Sequence, residues 1–237
     1  MMTKGNFETI EELEDCILQY GFLPFFSNSI SGFSVEEHTP GHLWFSRDED
    51  GPWEWKGPVV QDGRIAYGSF FVRKCMFVAL DWLPDLICYR RSLPSKVSDD
   101  VAALDDVVLQ TIEQEGSATI KELRQLLGFA RGRRRRESDL VDLIPGDDEV
   151  KLSLNPILAR LQMQLRIVIK DFEYSIDRHG NRYGWGVARY ATPESLYGRA
   201  FVHAGERTPE ESFQRMYDHL RRVVPSATDL QIRRLIG

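Results

Sequence analysis

A chain of 237 residues, 42% of them hydrophobic, can bury a substantial core in one domain or two. Its apolar runs are too short to cross a bilayer, and the start Met1-Met2-Thr3-Lys4 lacks a signal-peptide apolar region, so a cytoplasmic protein without membrane contact is expected. A net charge of −6 disfavours nonspecific coating of nucleic acid and leaves any DNA contact to local basic patches.

The first predicted helix opens on a capping box, Thr9 with Glu12, and its stripe is Ile10, Leu13, Ile17 and Tyr20. Phe22, Leu23, Phe25 and Phe26 form an apolar knot after it. Residues 27–51 read as loop. His38 and His42 are four apart, but Pro40 and Gly41 between them argue against a helical metal-binding pair. Cys16, Cys75 and Cys88 are too widely spaced for a paired ligand pattern and read as buried thiols. No Walker loop, dinucleotide fingerprint or zinc signature is present, so neither metal nor cofactor is expected.

Residues 52–91 are the most aromatic part. Alternation predicts a strand with Trp53 and Trp55 on one face and Glu54 and Lys56 on the other. Asp62-Gly63 predicts a hairpin turn, and Met76 to Leu80 a further short strand. The plain reading is a small antiparallel sheet with an aromatic core. The functional one is a base pocket, in which Trp53 and Trp55 stack while Glu54, Lys56 or Asp85 meets a polar edge. The polar stretch 92–100 marks a boundary.

Beyond it, Val101 to Ile112 form an amphipathic helix, and Thr119 with Glu122 caps a short second one ending at Gly128. An insert over 129–153 carries Arg131, Arg133, Arg134, Arg135 and Arg136 and then turns acidic. It is either a phosphate clamp or a solvated loop neutralised by its own acids. A third helix starts at Asn155-Pro156, and the period changes at Arg166 to that of a strand. His179-Gly180-Asn181 reverses the chain, and Tyr183, Trp185 and Val187 alternate on the return strand. Thr192-Pro193 and Thr208-Pro209 start further helices, and a short one closes the chain at Leu230 to Ile236.

The predicted fold class is α+β: a winged helix-turn-helix with an N-terminal aromatic-rich α/β region and C-terminal helices. The division falls between 1–95 and 96–237, unless both pack as one body. Candidate DNA contacts are Arg160 and Arg166 at the third helix's end, Arg178, His179 and Arg182 at the wing tip, and Arg131, Arg133 and Arg134 in the insert. Gln162 and Gln164 sit where helix becomes strand. On a helix they face different sides; on extended chain their amides share a face and could hold a water or a flipped base.

The LARLQMQLRIVI segment, the WEWKGP, AYGSFF and DWLPDLICYRR blocks and the winged-helix pattern together resemble the AlkZ-related proteins, over roughly residues 35–225. These in turn are similar to the AlkZ/YcaQ-like DNA glycosylases, which use tandem winged helices where one is legible here. In those enzymes a Gln-x-Gln or Gln-x-Asp pair positions water as the N-glycosidic bond of an alkylated or cross-linked purine breaks. The resemblance implies that Gln162 and Gln164 are the catalytic pair, that double-stranded DNA is the partner and that the role is base-excision repair. Two other functions fit the same elements: a transcriptional regulator and an interaction module that has lost DNA contact.

Overall fold

The computed structural model describes residues 7–46, 49–128, 153–176, 178–179, 182–203 and 207–237, with backbone alone at 182–185. Helix α1 (Ile10–Tyr20) begins at the Thr9–Glu12 capping box and ends at Gly21, whose φ of 75° needs a residue without Cβ. Strand β1 (Phe22–Pro24) follows, then a short α2 (Val35–His38), α3 (Pro52–Gln61), β2 (Ile65–Phe71), β3 (Lys74–Ala79) and α4 (Leu83–Ser92).

The second half contains α5 (Asp99–Glu115), β4 (Ala118–Thr119), α6 (Ile120–Leu126), α7 (Leu154–Met163), β5 (Val168–Ile176) and β6 (Arg182–Ala191). It closes with α8 (Pro193–Tyr197), α9 (Arg199–Val202), α10 (Pro209–Val223) and α11 (Asp229–Ile236). The Thr119–Glu122 box starts α6 and the Thr208–Glu211 box starts α10, both where the sequence places them. Among the described residues, no helix is long and apolar enough to cross a membrane.

Among the described residues, six strands join one antiparallel sheet in the order β1-β3-β2-β5-β6-β4. A single registered pair, Tyr67 with Ile169, links β2 to β5 across the polar boundary near residue 95. The main core lies on this joint. Tyr67, Phe70 and Phe77 from the first half pack with Leu165, Val168 and Phe172 from the second, and with Met216, Leu220 and Leu235 of the last two helices. A smaller core is closed by α5, α6 and α7 through Val108, Ile112, Leu123, Ile157, Leu158 and Leu161. Strand β4 lies against β6, Ala118 opposite Tyr190 and Thr119 opposite Arg189, and so ties this helical cluster to the sheet.

Two expectations in the aromatic region are corrected. Residues Trp53 to Lys56 are helical: Pro52 presets the first turn, and the Glu54 carboxylate accepts from the Gly51 N–H at 3.1 Å. A four-residue alternation cannot separate periods of 2 and 3.6, and burial of Trp55, Val59 and Val60 on one side of α3 decided it. Asp62-Gly63 accordingly joins helix to strand. The hairpin turn is instead Val72-Arg73, with φ of 48° and 61°, between the paired Phe71 and Lys74. Two positive φ values define a type I′ turn, which suits Asn-Gly, and a β-branched residue there is strained by about 1–2 kcal/mol.

Helix α10 docks through His219, which is stacked on Trp82 at 4.1 Å and bonds the Tyr20 carbonyl at 2.9 Å. Burial, aided by the charges of Arg222 and Arg215, lowers its pKa below 6.5 despite the opposing carbonyl bond. The folded state therefore binds fewer protons than the unfolded chain below about pH 6.5. This contribution to stability is complete above that pH and is lost as pH falls through the folded-state value. In urea titrations between about pH 7 and pH 5, His219→Gln should flatten the decline seen in wild type. An equal decline in both would remove His219 as the cause.

Candidate nucleic-acid site at the end of α7

Helix α7 ends in a tight C-terminal motif. The Arg166 N–H donates to Leu161 O at 2.9 Å, and the Leu165 N–H to Gln162 O at 2.9 Å, with Leu165 at φ 54°. Glycine normally takes that left-handed position. Leucine occupies it here because its side chain is fully buried in the main core. The remaining carbonyls are met from α4: Arg90 Nη1 donates to Met163 O at 2.9 Å and Arg91 Nη2 to Leu165 O at 2.8 Å.

Gln162 is 4% exposed, and both polar atoms of its amide are bonded within the protein. Its Oε1 accepts from the Ser69 N–H of β2 at 2.9 Å, and its Nε2 donates to Leu158 O at 3.1 Å. Gly68 permits this approach, since a Cβ there would lie 3.2 Å from Oε1 and 2.5 Å from the Phe70 ring. Gln164, the C-cap, is half-buried, and among the described residues its amide has no hydrogen-bond partner. The chain is still helical through Met163, so the two amides project about 200° apart. The structure does not bring the pair together: one amide braces α7 against β2, and the other remains available.

The basic candidates separate in the same way. Arg160 makes a two-pronged pair with the buried Asp105 carboxylate at 2.9 and 2.6 Å. Arg166 is exposed and 3.4 Å from Asp106. Arg178 and His179 are exposed at the hairpin tip, with Arg178 Nε donating to His179 Nε2 at 3.0 Å. The side chain of Arg182 and all of Arg131, Arg133 and Arg134 lie outside the described residues.

The aromatic block does not form an open pocket. Trp53 packs against Phe25, Phe26 and Trp44 at 5.4–5.9 Å, and Trp55 is buried. Lys56 is 6% exposed, with its amine 4.8 Å from the Trp53 ring centre and 4.4 Å from that of Phe172, and burial lowers its pKa. Asp85, 2% exposed, is matched by Arg207 at 3.3 Å and by Arg215. Glu54 serves as a helix cap. These side chains are spread between the α3 core and the α4–α10 contact.

An open concavity instead lies beside α7's end. It measures 520 Å³ and is lined by Val72, Met163, Leu230, Arg233, Arg234 and Gly237. The Arg73 N–H donates to Met163 Sδ at 3.4 Å, which seats the β2–β3 turn on the residue between the two glutamines. Sequence reasoning missed Arg90, Arg91 and this turn. No local pattern marks an arginine that will cap carbonyls of distant helices, and Val-Arg is not a turn signature.

A family model described as AlkZ related matches residues 7–237. The chain belongs to the AlkZ-related family. The match spans both halves of the sheet and includes α1, β1 and α11, beyond the stretch that the sequence motifs mark. Comparison with curated proteins and with solved structures gave no match. Within this AlkZ-related chain the Gln-x-Gln segment thus falls at the junction of α7 with the sheet, held by α4 and β2.

Proposed function

We propose that the AlkZ-related chain is a winged-helix DNA-binding protein, kin to the DNA glycosylases, in which Gln164 meets the substrate and Gln162 positions it. The winged-helix assignment rests on the small core closed by α5, α6 and α7, with β4, β6 and β5 along its flank. The wing is the β5–β6 hairpin, which brings the exposed Arg178 and His179 to its tip. The observation that carries the chemistry is the uncommitted amide of Gln164 on a rigidly braced helix end. An amide both donates and accepts, so it can orient a water toward the anomeric carbon while the DNA phosphates help stabilise an oxocarbenium-like sugar. An alkylated or cross-linked purine, unstacked from the duplex, is the proposed substrate.

The test is release of a methylated purine from duplex DNA, read as alkali-labile abasic sites. Gln164→Ala should lower the rate by about 10²-fold or more while leaving Tm nearly unchanged. Wild-type turnover in that variant would remove Gln164 from catalysis. A second reading is favoured by the commitment of Gln162 to Ser69 and Leu158, which leaves one amide where the related enzymes use a pair. On that reading the protein binds duplex without excising a base. Salt-dependent binding without strand cleavage in the same samples would select it. Absence of both signals would point to an interaction module.

A further inference from the structure

The two-residue connection between the paired Phe71 and Lys74 takes positive φ at Val72 and Arg73, yet neither residue is the asparagine or glycine that carries it without strain. Val72 is 59% exposed, so its side chain does not repay the left-handed backbone by packing, as that of Leu165 does. Across the 520 Å³ concavity stands Leu230, 58% exposed. Around these two apolar side chains are the exposed arginines Arg73, Arg233 and Arg234. Arg233 lies over the rings of Phe213 and Tyr217 at 5.2 and 5.5 Å. Among the described residues none of the three arginines is in an ion pair, whereas Arg91, Arg160, Arg189, Arg207 and Arg215 each face a carboxylate. No side chain lining the concavity is acidic.

We infer that the β2–β3 turn and the exposed face of α11 form a docking surface for duplex DNA, beside the end of α7 at Met163. This rests on the DNA-binding reading above and extends it beyond the wing. Three unpaired guanidinium groups around an apolar centre match a phosphate backbone flanking a sugar or base edge. Strain retained at an exposed position, with a bulky apolar side chain held outward, is what a contact residue requires and what folding alone would remove. Arg73 grips the phosphate beside the nucleotide that Val72 touches, and Arg233 and Arg234 hold the adjoining backbone.

Two variants test this against duplex DNA at several salt concentrations. Val72→Asn with Arg73→Gly installs the favoured turn pair, so Tm should rise by about 2–4 °C while affinity falls about tenfold. Arg73→Ala with Arg233→Ala and Arg234→Ala should reduce the slope of log affinity against log salt by about 2–3. If wild type binds and Arg178→Ala with His179→Ala weakens binding while both surface variants bind as wild type, this surface is excluded and the winged-helix reading stands. If wild type does not bind duplex at all, both fall. Unchanged DNA binding with an altered sedimentation coefficient would assign the patch to a second copy of the chain and overturn the inference.

Discussion

Arg90→Met should lower the free energy of unfolding by about 3–5 kcal/mol, a fall in Tm of roughly 10 °C. Arg90 is 4% exposed and points into the place where four elements meet. Its guanidinium donates to Met163 O at 2.9 Å, Phe70 O at 2.9 Å, Leu235 O at 3.1 Å and Ile236 O. One side chain of α4 thus satisfies carbonyls at the ends of α7 and α11 and one on β2. Burial lowers its pKa to about 10, so it is still cationic at neutral pH. Methionine would fill the volume but leave those carbonyls without donors, and each unmet buried group costs about 1–3 kcal/mol before the chain relaxes. Lysine would recover only part, because an ammonium cannot span four acceptors in a plane. Equilibrium denaturation of the three proteins measures this. A loss below about 1 kcal/mol for Arg90→Met would show that water or rearrangement supplies the missing donors.

Cutting the chain at the polar boundary should have a still larger effect. A fragment of residues 1–95 is expected to show no cooperative thermal transition, while the full chain unfolds in one step. The fragment would keep β1, β2 and β3 but lose β5, whose Ile169 pairs with Tyr67 and whose Phe172 lies 5.9 Å from the Tyr67 ring. It would also lose Met216, Leu220 and Leu235, all fully buried against the first half. Deleting buried residues of this size costs about 2–5 kcal/mol each, against a total stability of about 5–15 kcal/mol for a domain. A sharp transition in the fragment would establish 1–95 as a domain of its own. Two separate transitions in the full chain would carry the same meaning.

These expectations show where local sequence was informative. The starts of α1, α6, α8 and α10 are all marked by a threonine cap, with glutamate or proline close behind. Such a cap is chemistry within four residues, so no distant contact can hide it. The β5–β6 hairpin was legible too, because nine- and ten-residue strands show their period clearly. The charge of −6 likewise directed attention to individual arginines rather than to the whole surface.

Tertiary structure decided what those residues are free to do. Arg160 and Arg166 read as exposed DNA contacts, yet Asp105 and Asp106 on α5 lie opposite them, 55 and 60 residues earlier in the chain. Gln162 and Gln164 are two apart in sequence, but Ser69 of β2, 93 residues away from Gln162, claims one amide and leaves the other. Within the described residues, Arg73, Arg233 and Arg234 are among the exposed arginines left without a carboxylate, as Arg124, Arg199 and Arg222 are, and nothing local distinguishes them from the paired ones. Capping and strand period are written in neighbouring residues. The availability of a charge or an amide depends on which partner the fold carries to it, and only the assembled chain specifies that.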